Sequence, residues 1–204
     1  MSVMIPDMEN YFLGFIPPRD ALLQELEEEA IRETIPIVGP VVGELLYILA
    51  KVAGAKNILE LGTASGYSGI HLARALPPGG KLVTLEIDDA MAQRARNNFS
   101  RAGLGEMIEV RVGQALDLMA AMTETFDLIF LDIDKESYLP ALAHCRRLLR
   151  LGGLLVVDNV GFAGADPFNL EIFQQKGWRV VHLLSWLPHH SPEKDGLTLA
   201  LRED

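Results

Sequence analysis

Sulfur ligands are nearly absent, for the 204 residues hold one cysteine, Cys145. A lone thiol excludes an internal disulfide and a cysteine-based metal centre. Cys145 lies in a stretch, Ala141 to Cys145, that reads as helix, so buried packing is its expected role. Positive charge is scarce too. Lys and Arg number 18 against 28 Asp and Glu, a formal net charge of -10. Such a surface repels phosphate backbones and argues against nucleic acid as an obligate partner, although a local basic patch leaves RNA open. No apolar run reaches the ~18 residues of a membrane span. The first ten residues lack a basic stretch followed by a long apolar one, so no signal peptide is expected. These absences lead to the expectation of a soluble, cytoplasmic protein with no membrane partner.

Hydrophobic residues make up 49% of the chain, enough at this length for one domain with a proper core. The expected organisation is a helical extension over 1–54, for capping or oligomer contacts, joined to a core over 55–204. Arg19 to Thr34 reads as a helix, with Leu22, Leu23, Leu26, Ala30 and Ile31 near helical spacing and Glu27-Glu28-Glu29 as its solvated face. Val41 to Ala53 reads as a second helix that ends at Gly54. For Tyr11, Phe12 and Phe15, core packing, a lid over a pocket and contact with a partner subunit all remain open.

From Lys56 strands alternate with helices. Strands are expected over Asn57–Leu61, Lys81–Ile87, Met107–Val112, Phe126–Leu131 and Leu154–Val157. Helices are expected over about 66–76, 88–102, 116–122, 138–149 and 166–176. Trp178–Ser185 and Leu197–Leu201 finish the chain as strands. This is the pattern of an α/β fold with a single doubly wound, mainly parallel seven-stranded sheet. Leu187 to Gly196 is too short for a helical crossover, so the last strand is expected to run antiparallel.

In such sheets ligands bind beyond the carboxyl ends of the strands. Four of those ends carry an acid: Glu60, Glu86, Asp132 and Asp158. The first strand runs into Gly62-Thr63-Ala64-Ser65-Gly66, a turn that lets a ligand approach backbone N–H groups. A dinucleotide fingerprint needs glycine two places after the first, and Ala64 stands there. Glu86 follows Gly66 by 20 residues, the spacing of an acid that accepts from ribose hydroxyls. Gly113-Gln114-Ala115 is expected against an adenine. Asp132, Asp158 and Asn159 should converge from neighbouring strands as hard oxygen donors that suit Mg²⁺ or a similar cation. Without a cation, two facing carboxylates would repel. Lys135 is placed to act as a base, because a cation beside it disfavours its ammonium form.

Three motifs together resemble a known family: Glu60 to Ser68, Leu131-Asp132-Ile133-Asp134-Lys135-Glu136-Ser137-Tyr138, and Asp158-Asn159-Val160. They are similar to those of the cation-dependent O-methyltransferases, the group that includes the catechol and caffeoyl-coenzyme A enzymes. Asp195-Gly196-Leu197-Thr198-Leu199 resembles that family's last strand. The resemblance implies a Rossmann-like methyltransferase fold with S-adenosylmethionine and Mg²⁺ as cofactors. It implies a methionine side formed by Val38, Gly39, Glu60, Gly62, Gly66, Tyr67 and Ser68, with Glu86 and Ile87 at the ribose and Gly113, Gln114 and Ala115 at the adenine. Asp132, Asp158 and Asn159 become the metal ligands, with Asp132 also beside the cofactor. Lys135 becomes the catalytic base. A homodimer is implied, as is a small hydroxyl acceptor, catechol-like or phenolic. Hydroxyuridine of transfer RNA is the alternative acceptor. An NAD(P)-linked oxidoreductase, which Ala64 opposes, and a catalytically silent cofactor-binding protein are the rivals outside methyl transfer.

Two stretches depart from the family pattern. Ile35 to Val42 is more apolar, and Gly161 to Asn169 is shorter than the loop that helps to form the acceptor pocket. Phe162, Phe168 and Trp186 are candidate walls of that pocket. His189 and His190 are expected in a solvated loop, with a place at the acceptor or at a chance metal site as the alternative.

Overall fold

From Asn57 onward the chain winds apolar strands and amphipathic helices into one sheet with helices on both faces. The computed structural model describes residues 3–190 and 192–204. Met1 and Ser2, part of the start read for a leader, and Ser191, part of the linker before the last strand, lie outside the described residues. Three helices precede the sheet: α1 (Met8–Leu13), α2 (Ala21–Glu33) and α3 (Gly39–Val52). Then come β1 (Asn57–Leu61), α4 (Tyr67–Ala75), β2 (Lys81–Glu86), α5 (Asp89–Arg101), β3 (Ile108–Val112), α6 (Ala115–Ala121) and β4 (Phe126–Leu131). The chain finishes with α7 (Tyr138–Leu148), β5 (Leu149–Val157), α8 (Asp166–Gln174), β6 (Trp178–Trp186) and β7 (Lys194–Arg202). Among the described residues no helix is long and apolar enough to cross a membrane.

The seven strands lie in the order β3-β2-β1-β4-β5-β7-β6. Pairing is parallel from β3 to β5. β7 enters between β5 and β6 and runs antiparallel to both. Period-two alternation divides the core. Ile58, Leu128, Phe130 and Val156 bury against α3, α4 and α5 through Leu46, Ile70 and Phe99. Leu59, Ile129, Leu131, Leu155 and Val157 face the other way, onto Met119, Leu142 and Phe168. This is the doubly wound α/β sheet with an antiparallel last strand that the sequence pattern implies.

The chain order reverses between β1 and β4, which is where such sheets open a crevice. Three backbone hydrogen bonds carry the ladder past the strand ends. Gly62 donates to Leu85, Asp132 to Leu61 and Asp158 to Leu131, at 3.0, 2.9 and 3.1 Å. The residues just beyond the carboxyl edge are therefore held as firmly as the strands themselves.

Several boundaries differ from the sequence reading. α3 begins at Gly39 instead of Val41, because Pro40 fits the first turn of a helix, where no N–H is needed. β5 begins at Leu149 instead of Leu154. A register irregularity between Phe126 and Leu128 accompanies its passage through Gly152-Gly153. α1 lies within the expected helical extension, although no bounds were expected for it. Asp7 caps it by accepting from Asn10 N–H at 3.1 Å, and it buries none of its residues. Tyr11, Phe12 and Phe15 do not join the core; their rings pack on one another, with centroids 5.3 and 4.8 Å apart.

α2 attaches to the rest by few apolar and many ionic contacts. Only Leu23, Leu26 and Ala30 are buried. Around them lie the pairs Asp20–Arg74, Glu25–Arg101, and Glu29 and Glu33 with Arg94. The expected solvated face is thus only partly solvated. Glu28 is exposed, whereas Glu27 accepts from the Tyr67 hydroxyl at 2.5 Å and pairs with Arg19 at 3.0 Å.

Candidate active site

The crevice at the switch point is a cavity of about 630 Å³, within the usual range for a small-molecule site. The turn after β1 forms its floor. Gly62 has φ +95°, and a Cβ there would lie 2.0 Å from the Asp132 carbonyl oxygen, so only glycine fits. Ala64 also lies in the left-handed region, at φ +44°. Its N–H is held by Glu86 Oε2 at 2.9 Å, and Glu86 Oε1 accepts from Asp88 N–H at 3.0 Å. Glu86 thus spans the ends of β1 and β2 and still has lone pairs facing the cavity.

Most of the residues singled out in the sequence line this one cavity. Val38, Gly62, Tyr67 and Ser68 lie on one side, and Glu86, Ile87, Gly113, Gln114 and Ala115 along the next. Asp132, Lys135, Asp158 and Asn159 form the far wall. Gly39, Glu60 and Gly66 are not brought to it. A Cβ on Gly39 would meet the His189 carbonyl, and one on Gly66 would meet the Phe99 ring. Phe168 is no pocket wall, because it is fully buried edge-on to Tyr138, with ring centroids 5.8 Å apart. The lining also includes Ile37 and Met91, which no motif marked.

Glu60 lies behind the turn, wholly buried. Thr84 Oγ1 donates to its Oε2 at 2.6 Å, with Thr63 Oγ1 a further 2.6 Å from Thr84 Oγ1. Its Oε1 has no hydrogen-bond partner among the described residues. Burial raises its pKa to about 7. The hydroxyls of Ser68 and Thr84 oppose that shift, and the Asp132 and Glu86 carboxylates add to it. An unfolded glutamate releases its proton near pH 4.5, whereas the folded one keeps it to about pH 7. Between those values the folded chain binds more protons, so its stability falls as pH rises. Glu60→Gln removes that cost and should leave the ligand-free protein about 3 kcal/mol more stable than wild type at pH 8, with little difference at pH 5. Urea denaturation at the two pH values tests this, and equal pH dependence in the two proteins would rule it out.

At the far wall Lys135 Nζ donates to Asp132 Oδ1 and to the Ile133 carbonyl, each at 3.0 Å. Burial raises the Asp132 pKa, and the charge of Asp158 raises it further; Lys135 and His190 pull the other way. Asp158 is fully buried, and its Oδ1 accepts from the Asn159 N–H at 2.8 Å. Asn159 has φ +53°, a region asparagine tolerates better than most residues. Its Nδ2 donates to Asp195 Oδ2 at 2.8 Å, which turns Oδ1 into the amide atom free for a ligand. The Tyr138 hydroxyl donates to the Asp158 carbonyl at 2.9 Å and fixes the end of β5.

His190 is not in a solvated loop. It is buried, lines the same cavity, and places Nε2 2.9 Å from Asp158 Oδ2. Burial works against its charge, but the Asp158 carboxylate and the Pro192 carbonyl outweigh it and push the imidazole up to about 9. His189 beside it is exposed, as expected. Asp132, Asp158 and the Asn159 oxygen line one cavity as hard oxygen donors, the chemistry that suits a hard divalent cation.

The sequence model of the O-methyltransferase family matches residues 18–181. The chain belongs to that family. Among its relatives, a catechol O-methyltransferase from Niastella koreensis is 46% identical over 127 residues, covering 60% of this chain and 58% of that one. The chain thus spans little more than half the length of that curated relative. Two solved O-methyltransferases match nearly end to end. The Bacillus cereus enzyme, in complex with SAH, has a TM-score of 0.87 at 32% identity and covers 96% of this chain and 97% of its own. TomG from Streptomyces achromogenes, involved in tomaymycin synthesis and in complex with SAM, has a TM-score of 0.87 at 30% identity and covers 97% and 96%. For this O-methyltransferase the sequence offered His190 a place at the acceptor or at a chance metal site only as the alternative to a solvated loop, and Asp195 entered only through the resemblance of Asp195 to Leu199 to the family's last strand.

Proposed function

We propose that this chain transfers a methyl group from S-adenosylmethionine to a hydroxyl oxygen of a small catechol-like or phenolic acceptor, with a divalent cation assisting. The observation that carries this reading is the meeting, in one cavity, of Glu86 and Gln114 with Asp132, Lys135, Asp158 and Asn159. The SAM- and SAH-bound neighbours and the catechol O-methyltransferase relative support it.

S-adenosylmethionine supplies an electrophilic methyl group on a sulfonium. Glu86 accepts from the ribose hydroxyls with the lone pairs left by Ala64 and Asp88. Gly113, Gln114 and Ala115 bound the adenine, and Ile87 packs beside the ribose. Val38, Gly62, Tyr67 and Ser68 hold the methionine part. Gly39, Glu60 and Gly66 act from behind, by shaping the loops that touch it. Residues 1–54 close the cavity, through Ile35 to Val38 after α2, over the core of 55–204. Together these contacts hold the donor and the acceptor for in-line attack, and proximity supplies much of the rate.

Asp132, Asp158 and Asn159 would hold a Mg²⁺-like cation, which would lower the pKa of an acceptor hydroxyl and help to orient it. A cation on Asp132 would disfavour the ammonium form of Lys135, and the neutral amine would take the hydroxyl proton on Nζ as the oxygen attacks. The test is methyl transfer to catechol with purified protein, S-adenosylmethionine and MgCl₂. Methylated catechol should form, cease to form in EDTA, and return with excess Mg²⁺. Undiminished product in EDTA would remove the cation from the reading, and no transfer to any catechol or phenol would remove the acceptor class.

A further inference from the structure

The loop between β6 and β7 brings an imidazole to the cation wall. His190 Nδ1 lies 2.9 Å from the Pro192 carbonyl oxygen, and Nε2 lies 2.9 Å from Asp158 Oδ2 and 3.4 Å from Asn159 Nδ2. A carbonyl only accepts, so Nδ1 carries the hydrogen that points at Pro192. In a neutral ring Nε2 then presents a lone pair to a carboxylate oxygen. Two acceptors at 2.9 Å need a positive species between them, either a second ring proton or a metal ion.

Three observations favour a metal ion as that species. Metal-bound histidines commonly donate their other ring N–H to a backbone carbonyl, as His190 does to Pro192. Two neighbouring ligands about 2.1 Å from an octahedral ion are about 3.0 Å apart, close to the observed N···O separation. Asp132, Asn159 and His190 line one cavity with Asp158. Asp158, His190 and Asp195 form a buried group whose ligand atoms all lie within 4.8 Å of one another. Asp195 is already committed. Its Oδ1 accepts from the N–H groups of Gly161 and Gly196 at 2.9 and 2.6 Å, and its Oδ2 from Asn159. It orients Asn159, and His190 is the member left with an atom to give.

We propose that His190 is a ligand of the cation through Nε2, beside Asp158. The site is then a mixed oxygen and nitrogen one that favours transition ions such as Co²⁺ over Mg²⁺, since imidazole suits the former and oxygen donors suit the latter. This rests on the cation reading above and adds to it the ligand that sets the choice of ion.

The full chain loaded with MnCl₂ is examined by pulsed electron paramagnetic resonance, and CoCl₂ and MgCl₂ affinities are measured by calorimetry. Wild type should show coupling of Mn²⁺ to a directly bound nitrogen. His190→Gln should lose it and bind Co²⁺ at least about 10-fold more weakly, while Mg²⁺ affinity moves much less. His189→Gln should keep the coupling. Mn²⁺ bound by wild type without nitrogen coupling would overturn the assignment and leave the cation reading standing, with only a proton between His190 and Asp158. Failure of wild type to bind any of the three ions would overturn both. The wild-type spectrum decides the point even if the variant folds poorly.

Discussion

Lys135→Ala should lower kcat for methyl transfer by about 10²–10⁴-fold, the usual contribution of a positioned acid–base group, with little change in affinity for S-adenosylmethionine. The side chain is held at the cavity wall by Asp132 Oδ1 and the Ile133 carbonyl, and its Nζ lies 5.2 Å from the centre of the Tyr138 ring. These contacts leave the amine little freedom to act anywhere else. Lys135→Arg separates two roles. Arginine keeps the ion pair with Asp132 but cannot take up a proton, so its kcat should fall nearly as far as that of the alanine variant. Near-normal turnover in the arginine variant would show that the site needs only a positive charge there. Single-turnover rates, with cofactor affinity measured separately, distinguish these outcomes.

Gly62→Ala should cost more stability than any other substitution discussed above. The new Cβ would meet the Asp132 carbonyl oxygen at 2.0 Å and its carbon at 3.0 Å. Both are backbone atoms pinned by the ladder, through Asp132 N–H on Leu61 and Gly62 N–H on Leu85. Neither can swing aside as a side chain would. The positive φ adds about 1 kcal/mol. A total above about 4 kcal/mol is expected, which lowers Tm by about 10 °C or more in a chain of this size. Gly54→Ala is the control, with a similar φ of +60° but open space around the added atom. Equal melting temperatures for the two variants would mean that β1 and β4 tolerate spreading at the switch point.

The reach of the sequence follows from which signals are local. Leu128-Ile129-Phe130-Leu131 and Leu154-Leu155-Val156-Val157 are continuous apolar runs, so their place as central strands was legible, and with it the approach of Asp132 to Asp158. Period two also puts Glu60 on the same face as Ile58, under α4 and away from the cavity, a consequence the motif comparison passed over. For His190 the choice between a solvated loop and a site stayed open, because proline-flanked loops have no periodicity. Its burial arises from the β6–β7 hairpin folding back against the end of β5. Phe168 was misplaced for a related reason: which face of α8 turns inward depends on how the helix docks, and its short apolar pattern does not settle that.

The two sides of the cavity are built from different forces. Asp132, Asp158 and Gly62 are set by strands that bury apolar surface. Ile35 to Val38 follow α2, whose grip on α4 and α5 is largely Asp20–Arg74, Glu25–Arg101 and the two glutamates around Arg94. Exposed pairs of this kind are weak and are screened within about 10 Å at 0.1 M salt. Amide exchange in α2 should therefore quicken with ionic strength while the strands stay protected, and unchanged exchange would put its anchoring in Leu23, Leu26 and Ala30 instead. Dissolved electrolyte would then act on this protein as a hinge lubricant, loosening one bank of the crevice while the bank that holds the acids stands fast.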